Sequence, residues 1–237
     1  MHMDTGKISL IQIGSDGNRV AQIHCDSKRM PRPGQYLKAH NPNEPEAVLG
    51  CSLFSMGLPS SMDGLSNSGP ISLGPIPRSW HPGTLLELNG PLGHGFSLPP
   101  AVNSLGLIAL GETAGRLLPL IPLALSQNAD IAIFSDAALP PLPPIIEIRS
   151  LHAIPDAIAW ADFLAIDLPR ENLPNLRENL QLSPHDFLPC PAQVLVTSAM
   201  PCAGIGECGV CAVPEQKRGY TLTCKDGPVF NLNQLRW

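Results

Sequence analysis

The rhythm of apolar and polar positions changes near residue 100. Before it, short β-rich runs recur at Lys7–Ile13, Arg19–Cys25, Gln35–His40, Val48–Met56, Ile71–Ile76 and Thr84–Leu88, separated by Pro, Gly, Asn and Ser clusters. Several short strands divided by turn signals predict an all-β barrel over residues 1–100. The Ser- and Gly-rich stretch Pro59–Pro70 reads as a loop within it. From 101 to 199 the pattern becomes that of alternating strands and helices. Apolar runs at Leu105–Leu110, Asp130–Ser135, Ile145–Arg149, Phe163–Asp167 and Gln193–Thr197 predict strands, and Ala114–Gln127, Pro155–Ala161 and Arg170–Leu180 predict helices. Near-continuous apolar strands between helices belong to a parallel, doubly wound sheet.

Residues 200–237 follow neither pattern and carry the chemistry. Cys202, Cys208, Cys211 and Cys224 stand in the order C-x5-C-x2-C-x12-C, close to the plant-type ferredoxin spacing that holds a [2Fe–2S] cluster. Such a cluster needs four thiolates converging on two irons. A loop that aims three of them inward must bend sharply, and Gly204, Gly206 and Gly209 supply that freedom. Backbone N–H groups turned inward make a concavity suited to an anionic cluster. The strand-like run Tyr220–Cys224 brings in the fourth ligand, and Asp226-Gly227-Pro228 turns the chain away. A structural zinc site is the alternative, since Cys208-x2-Cys211 has a zinc-knuckle look. Zinc sites usually show two such pairs, however, and this tail has one. Seven cysteines, an odd number, with no sign of secretion argue against disulfides.

Composition narrows the class further. A chain of 237 residues that is 43% hydrophobic can fill two cores and a small tail. The formal net charge of −5, with basic residues scattered, gives no footprint for nucleic acid. The N-terminus lacks the basic and apolar segments of a signal peptide, and the longest apolar stretch, Leu105–Leu125, is broken by Glu112, Arg116, Pro119 and Pro122, so neither export nor a membrane span is expected and a cytoplasmic protein is. Cys25 and Cys51 are expected to be small buried hydrophobes. The histidines form no metal-spaced pair, and no P-loop, nucleophile elbow or paired carboxylates appear.

Met200–Pro214, followed by Cys224-Lys-Asp-Gly-Pro-Val-Phe230, resembles the iron–sulfur tail of the dihydroorotate dehydrogenase electron-transfer subunit, within the ferredoxin–NADP reductase-like superfamily. The resemblance implies a flavin-binding β-barrel, a nucleotide-binding α/β domain and the cluster in that order. It also implies an electron route between the flavin of a dihydroorotate dehydrogenase-like catalytic partner, in pyrimidine biosynthesis, and FAD and NAD in this subunit, within a hetero-oligomer. Pro33-Gly-Gln-Tyr36 is similar to the turn before the flavin strand, and Gly90-Pro-Leu-Gly-His-Gly-Phe96 to the crossing between domains. Ser52-Leu53-Phe54-Ser55 aligns with the flavin motif Arg-x-(Tyr/Phe)-Ser. The resemblance thus assigns cofactor binding to Ser52, Leu53, Phe54 and Ser55, to Ile71, Ser72 and Leu73 in the next run, and to Gly111 and Thr113 in the turn after the first parallel strand.

The chain departs from this family at four places. Five residues, where four are expected, separate Cys202 from Cys208. The arginine that normally pairs with the FAD pyrophosphate is Ser52, and a hydroxyl does not replace a bidentate cation. The glycine-rich dinucleotide turn has become Gly111-Glu-Thr-Ala-Gly-Arg116, with a carboxylate that repels phosphate unless it points away or pairs with Arg116. The Cys-Gly-Pro motif expected after the last sheet strand is missing, so the nucleotide domain reads as shortened. These losses favour a second reading: a non-catalytic scaffold subunit whose metal site holds the tail folded. His94 is expected to be a turn residue.

Overall fold

The structure, a computed structural model, describes residues 4–44, 46–47, 49–57, 72–183, 186–202 and 204–237. Pro59–Pro70 and Ile71 lie outside the described residues. The first part is the expected barrel. Strands β1 (Asp4–Ile13), β2 (Arg19–His24), β3 (Tyr36–His40), β4 (Cys51–Ser55), β5 (Ser72–Gly74) and β6 (Leu85–Leu92) close in the order β1-β2-β5-β4-β3-β6, antiparallel throughout. Alternate side chains enter the interior, as the two-residue period of a strand requires. Ile8, Ala21, Ile23, Leu37, Ala39, Leu53, Leu73, Leu86 and Leu88 fill it, with Ile76 and Trp80.

The second part is a six-stranded sheet whose edge, β14 (Val229–Asn231), comes from the tail. Strands β7 (Ser104–Ala109), β8 (Asp130–Phe134), β9 (Glu147–Arg149), β10 (Phe163–Pro169) and β11 (Ala192–Thr197) run parallel. The order across the sheet is β14-β11-β10-β7-β8-β9. Both faces are buried. Leu105, Leu107, Ile131, Ile133 and Ala165 meet Leu117, Leu120 and Ile121 on one face, while Ile108, Phe134, Leu164, Ile166 and Val194 meet Ile154 and Ile158 on the other. Double burial is why these strands read as apolar runs rather than alternations.

Among the described residues three helices, α1 (Ile121–Leu125), α2 (Ile154–Trp160) and α3 (Leu176–Asn179), cover the sheet. The first and last are shorter than the apolar spacing predicts. Pro119 and Pro122 cannot donate the bonds of a continuous helix, so Leu118–Leu120 forms a 3₁₀ turn before α1. Pro174 divides the expected helix Arg170–Leu180 in the same way, leaving a 3₁₀ segment before α3. Asn128 and Gln181, with φ of 59° and 56°, end the two segments.

Two strands of the tail are not apparent from the sequence pattern. β12 (Ala212–Pro214) pairs with β13 (Tyr220–Leu222) in a hairpin. β14 (Val229–Asn231) then runs antiparallel to β11 as an edge of the main sheet, with Leu195 opposite Val229. Asp226 does turn the chain, as expected: its Oδ2 accepts hydrogen bonds from the Leu222 N–H (3.0 Å) and the Thr221 hydroxyl (3.2 Å). Among the described residues no helix is long and apolar enough to cross a membrane.

Candidate metal centre between barrel and sheet

The tail is wedged where the barrel meets the sheet. Tyr36, Phe54 and Met56 from the barrel pack with Leu195, Met200, Cys211, Cys224 and Val229 in one apolar cluster. The Gly90–Phe96 crossing is fastened to the tail. A side chain at Gly93 would place its Cβ 2.4 Å from the Gly227 oxygen, so this approach requires glycine. Next to it, the His94 N–H donates to the Gly227 oxygen and its ring Nδ1 lies 2.9 Å from the Asp226 oxygen. His94 is thus a turn residue held against the tail.

Within this frame the four cysteines gather in one place. Cys202 has the Cys208 thiol as a hydrogen-bonding neighbour. The Cys224 N–H donates to Cys211 Sγ at 3.4 Å. Cys202 Sγ lies 3.9 Å from Cys224 Sγ. Gly204, Gly206 and Gly209 all have positive φ (84°, 83° and 68°), which lets the loop curl around the thiols. The five-residue spacing leaves all four cysteines in the cluster. Thr223, wholly buried, donates through both N–H (3.1 Å) and hydroxyl (2.8 Å) to the Cys211 oxygen. Arg170, from the end of β10, donates to the Val210 and Ala212 oxygens and ties the third cysteine to the sheet.

Electrostatics separates Cys202 from Cys224. Burial pushes the Cys202 thiol up, but the Gly206 N–H, the Cys208 thiol and N–H and the Cys224 thiol outweigh it and bring it down to about 6. Burial pushes Cys224 up to about 12, and the Cys211 and Cys202 thiols add to the rise. Among the described residues no three Cys, His, Asp or Glu side chains surround one point closely enough to hold a single metal ion. A two-iron cluster asks for something different: two thiolates on each iron. Four thiols gathered around the Cys202–Cys224 contact supply the number that demand sets.

Two barrel residues outside the flavin motif hold the tail. The Tyr36 hydroxyl donates to the Cys224 oxygen at 2.7 Å, and Lys38 Nζ donates to the Met200 oxygen at 2.9 Å. Burial lowers the Lys38 ammonium, while the neighbouring Cys51 and Cys202 thiols raise it. In sequence Tyr36 reads as a strand residue beside the Pro33-Gly-Gln turn and Lys38 as a polar position in a strand. Nothing local marks either as a partner of the cysteines.

The residues that the resemblance assigns to flavin and nucleotide lie elsewhere on the same interface. Ser52 faces Lys38 across the β3–β4 ladder, Oγ to Nζ 3.5 Å. Leu53 and Leu73 point into the barrel and are fully buried in its core. Phe54 and Ser55 are each 5% exposed. The Phe54 ring lies 5.9 Å from that of Tyr36, and the Arg116 guanidinium carbon lies 6.0 Å from its centroid. Ser72 lines a cavity of about 590 Å³ between barrel and sheet, together with Met56, Gly115, Leu118 and Asp16.

The turn after β7 is occupied by protein contacts. Thr113 donates a short hydrogen bond to Asp16 of the β1–β2 turn and accepts one from the Gly115 N–H at 2.9 Å. Burial raises the Asp16 carboxyl, but its hydrogen bonds from Thr113 and Asn18 prevail and lower it. Glu112 points to solvent, and Arg116 pairs instead with Asp167 at the end of β10, Nε to Oδ2 2.9 Å. The Arg116 Nη2 atom lies 4.0 Å from where a Cβ on Gly111 would stand, over the turn that a dinucleotide pyrophosphate would approach. With Thr113 bonded to Asp16 and Arg116 paired with Asp167, neither of these side chains is left to bind a pyrophosphate at this turn.

Barrel, parallel sheet and cysteine tail define the class: a ferredoxin reductase-like fold with an iron–sulfur cluster binding domain at its end. Solved structures share the fold. The NADH-dependent reduced ferredoxin–NADP oxidoreductase of flavin-based electron bifurcation is 16% identical over 98% of this chain and 90% of that one, with a TM-score of 0.69. Phthalate dioxygenase reductase, a modular structure for electron transfer from pyridine nucleotides to [2Fe–2S], is 10% identical over 98% and 77%, TM-score 0.52. The ferredoxin–NADP+ reductase of Plasmodium falciparum is 13% identical over 78% and 91%, TM-score 0.53. At these identities the likeness is one of fold. The tail is more specific: residues 197–236 match the iron–sulfur cluster binding domain of dihydroorotate dehydrogenase B. No curated protein matches the chain.

Proposed function

We propose that the protein is the iron–sulfur electron-transfer subunit of a flavoprotein oxidoreductase. A [2Fe–2S] cluster, when bound, stores and releases one electron at a time. Cys202, Cys208, Cys211 and Cys224 would hold it, Gly206 and Cys208 N–H groups would turn toward its sulfurs, and the Tyr36 and Lys38 bonds to the tail would fix it against the barrel. The observation that carries this reading is the gathering of the cysteines in a tail that matches the iron–sulfur cluster binding domain of dihydroorotate dehydrogenase B. That tail also supports the identity of the partner: a dihydroorotate-oxidising catalytic flavoprotein in pyrimidine biosynthesis, joined in a cytoplasmic hetero-oligomer. Cys208, Ile205 and Val210 are exposed at the loop and offer the edge on which a partner flavin would exchange electrons.

The resemblance adds FAD and NAD as stations beyond the cluster. Three of their assigned residues, Ser52, Phe54 and Thr113, are engaged with other parts of the chain. That engagement is what favours the second reading, a scaffold subunit with a structural metal.

Anaerobic absorbance and electron paramagnetic resonance before and after dithionite, with iron and zinc measured on the same sample, separate the readings. Two irons per chain and a paramagnetic signal that appears on reduction are expected for the electron carrier. A colourless, zinc-loaded protein from iron-replete anaerobic cells would establish the scaffold instead.

A further inference from the structure

We infer that the cofactor cleft between barrel and sheet has lost its flavin and nucleotide contacts to the chain's own side chains, Arg116 and Asp167 foremost, although a cavity remains beside Ser72, so that the cysteine tail carries the redox chemistry of this subunit. The inference rests on the electron-transfer reading above and specifies its route: electrons enter and leave at the cysteine loop, and the subunit takes neither flavin nor a nicotinamide cofactor.

The aromatic ring is the first observation. A ring that stacks on an isoalloxazine keeps one face clear of protein. Phe54 has Tyr36 against it and the Arg116 guanidinium on the ring, and it is 5% exposed. Ser55, which would hydrogen-bond the isoalloxazine, is equally covered.

Charge is the second observation. A dinucleotide pyrophosphate needs a cation or a row of free N–H groups. Position 52 is serine, Lys38 is turned to the Met200 oxygen, and Arg116 is paired. The cavity beside Ser72 is lined by the Asp16 carboxylate and, among the described residues, by no lysine or arginine.

Arg116 is also not free to swing out and meet a phosphate. Asp167 is 0% exposed, and its Oδ1 has no hydrogen-bond partner among the described residues. Without Arg116 it would be a buried, uncompensated carboxylate. The pair therefore stays together, and the guanidinium stays on Phe54.

The test uses the full chain, purified anaerobically and cluster-loaded. Iron, acid-released flavin and reduction of the visible chromophore by NADH or NADPH are measured, and FAD and FMN are titrated by flavin fluorescence. The expected result is iron without flavin, no quenching of added flavin, and reduction by dithionite but not by NADH or NADPH. One flavin per chain, saturable quenching, or reduction by a nicotinamide nucleotide would overturn the inference while leaving the cluster in place. Missing iron would instead count against the electron-transfer reading. The double variant R116A/D167N removes the guanidinium without stranding a carboxylate. It is expected to quench lumiflavin where the parent does not, and a folded variant that fails to do so would overturn the role given to Arg116.

Discussion

The Tyr36 hydroxyl donates a 2.7 Å hydrogen bond to the carbonyl oxygen of Cys224, joining the third barrel strand to the last cysteine of the tail across 188 residues of sequence. Tyr36 is fully buried, and burial together with the Cys224, Cys211 and Cys202 thiols pushes its own ionisation upward, so it remains a neutral donor. Tyr36→Phe keeps the ring and leaves a buried carbonyl short of a partner. It is expected to cost about 1 kcal/mol in urea unfolding and to speed loss of the visible chromophore on dilution into chelator. Unchanged chromophore lifetime would mean that this bond does not steady the cysteine site.

Lys38 is a barrel cation directed at the start of the cysteine tail, through Met200. A positive charge near a cluster stabilises the reduced, more negative form. Lys38→Met is expected to lower the midpoint potential by on the order of tens of mV, and Lys38→Arg to restore most of it. Redox titration followed by absorbance decides this. Equal potentials in all three proteins would remove Lys38 from the tuning of the site.

The Arg116–Asp167 pair is a buried one, with Asp167 wholly enclosed. Arg116→Met leaves that carboxylate alone and is expected to destabilise by about 3–5 kcal/mol, while R116M/D167L recovers a large part of the loss. Burial already pushes the Asp167 carboxyl above its ordinary value of 3.8, with Arg116 pulling it back through charge and hydrogen bond. A folded-state value raised in this way makes the acidic form the stable one: stability is full below 3.8 and falls as pH rises through the raised value. Removing Arg116 raises it further, so the deficit of Arg116→Met should grow from mildly acidic to mildly alkaline pH. Urea midpoints that shift equally at both ends would refute it.

In cluster-free protein near neutral pH, Cys202 is largely thiolate, since its thiol is brought down to about 6, whereas burial pushes Cys25, Cys51 and Cys190 up. Iodoacetamide is expected to modify Cys202 several-fold faster than those three, as read by peptide mass spectrometry. Loading the cluster should protect Cys202, Cys208, Cys211 and Cys224 together. Selective protection of only two would count against a four-cysteine site.

Much of this molecule was legible because it is written in local signals. The strand runs of barrel and sheet follow from two-residue alternation and from double burial, and the four cysteines stand in a spacing that few other sites use. Helices α1 and α3 came out short because proline removes donors, an effect that apolar spacing does not count. Strand β14 escaped because three residues after a turn carry no period of their own and become a strand only by pairing with β11.

The sequence by itself determined the cysteine chemistry, the two backbone architectures and the losses at position 52 and in the Gly111 turn, since residue identity and short spacing are enough to specify these. Only the tertiary structure decided what fills the space those losses leave. That Arg116 pairs with Asp167 rather than with Glu112, that its guanidinium lies on Phe54, and that Tyr36 and Lys38 reach the cysteine loop are contacts between residues 51, 62, 188 and 162 positions apart. At such separations no local propensity carries information. The partners are chosen by how barrel and sheet pack and by the cost of burying a charge or a polar group without one.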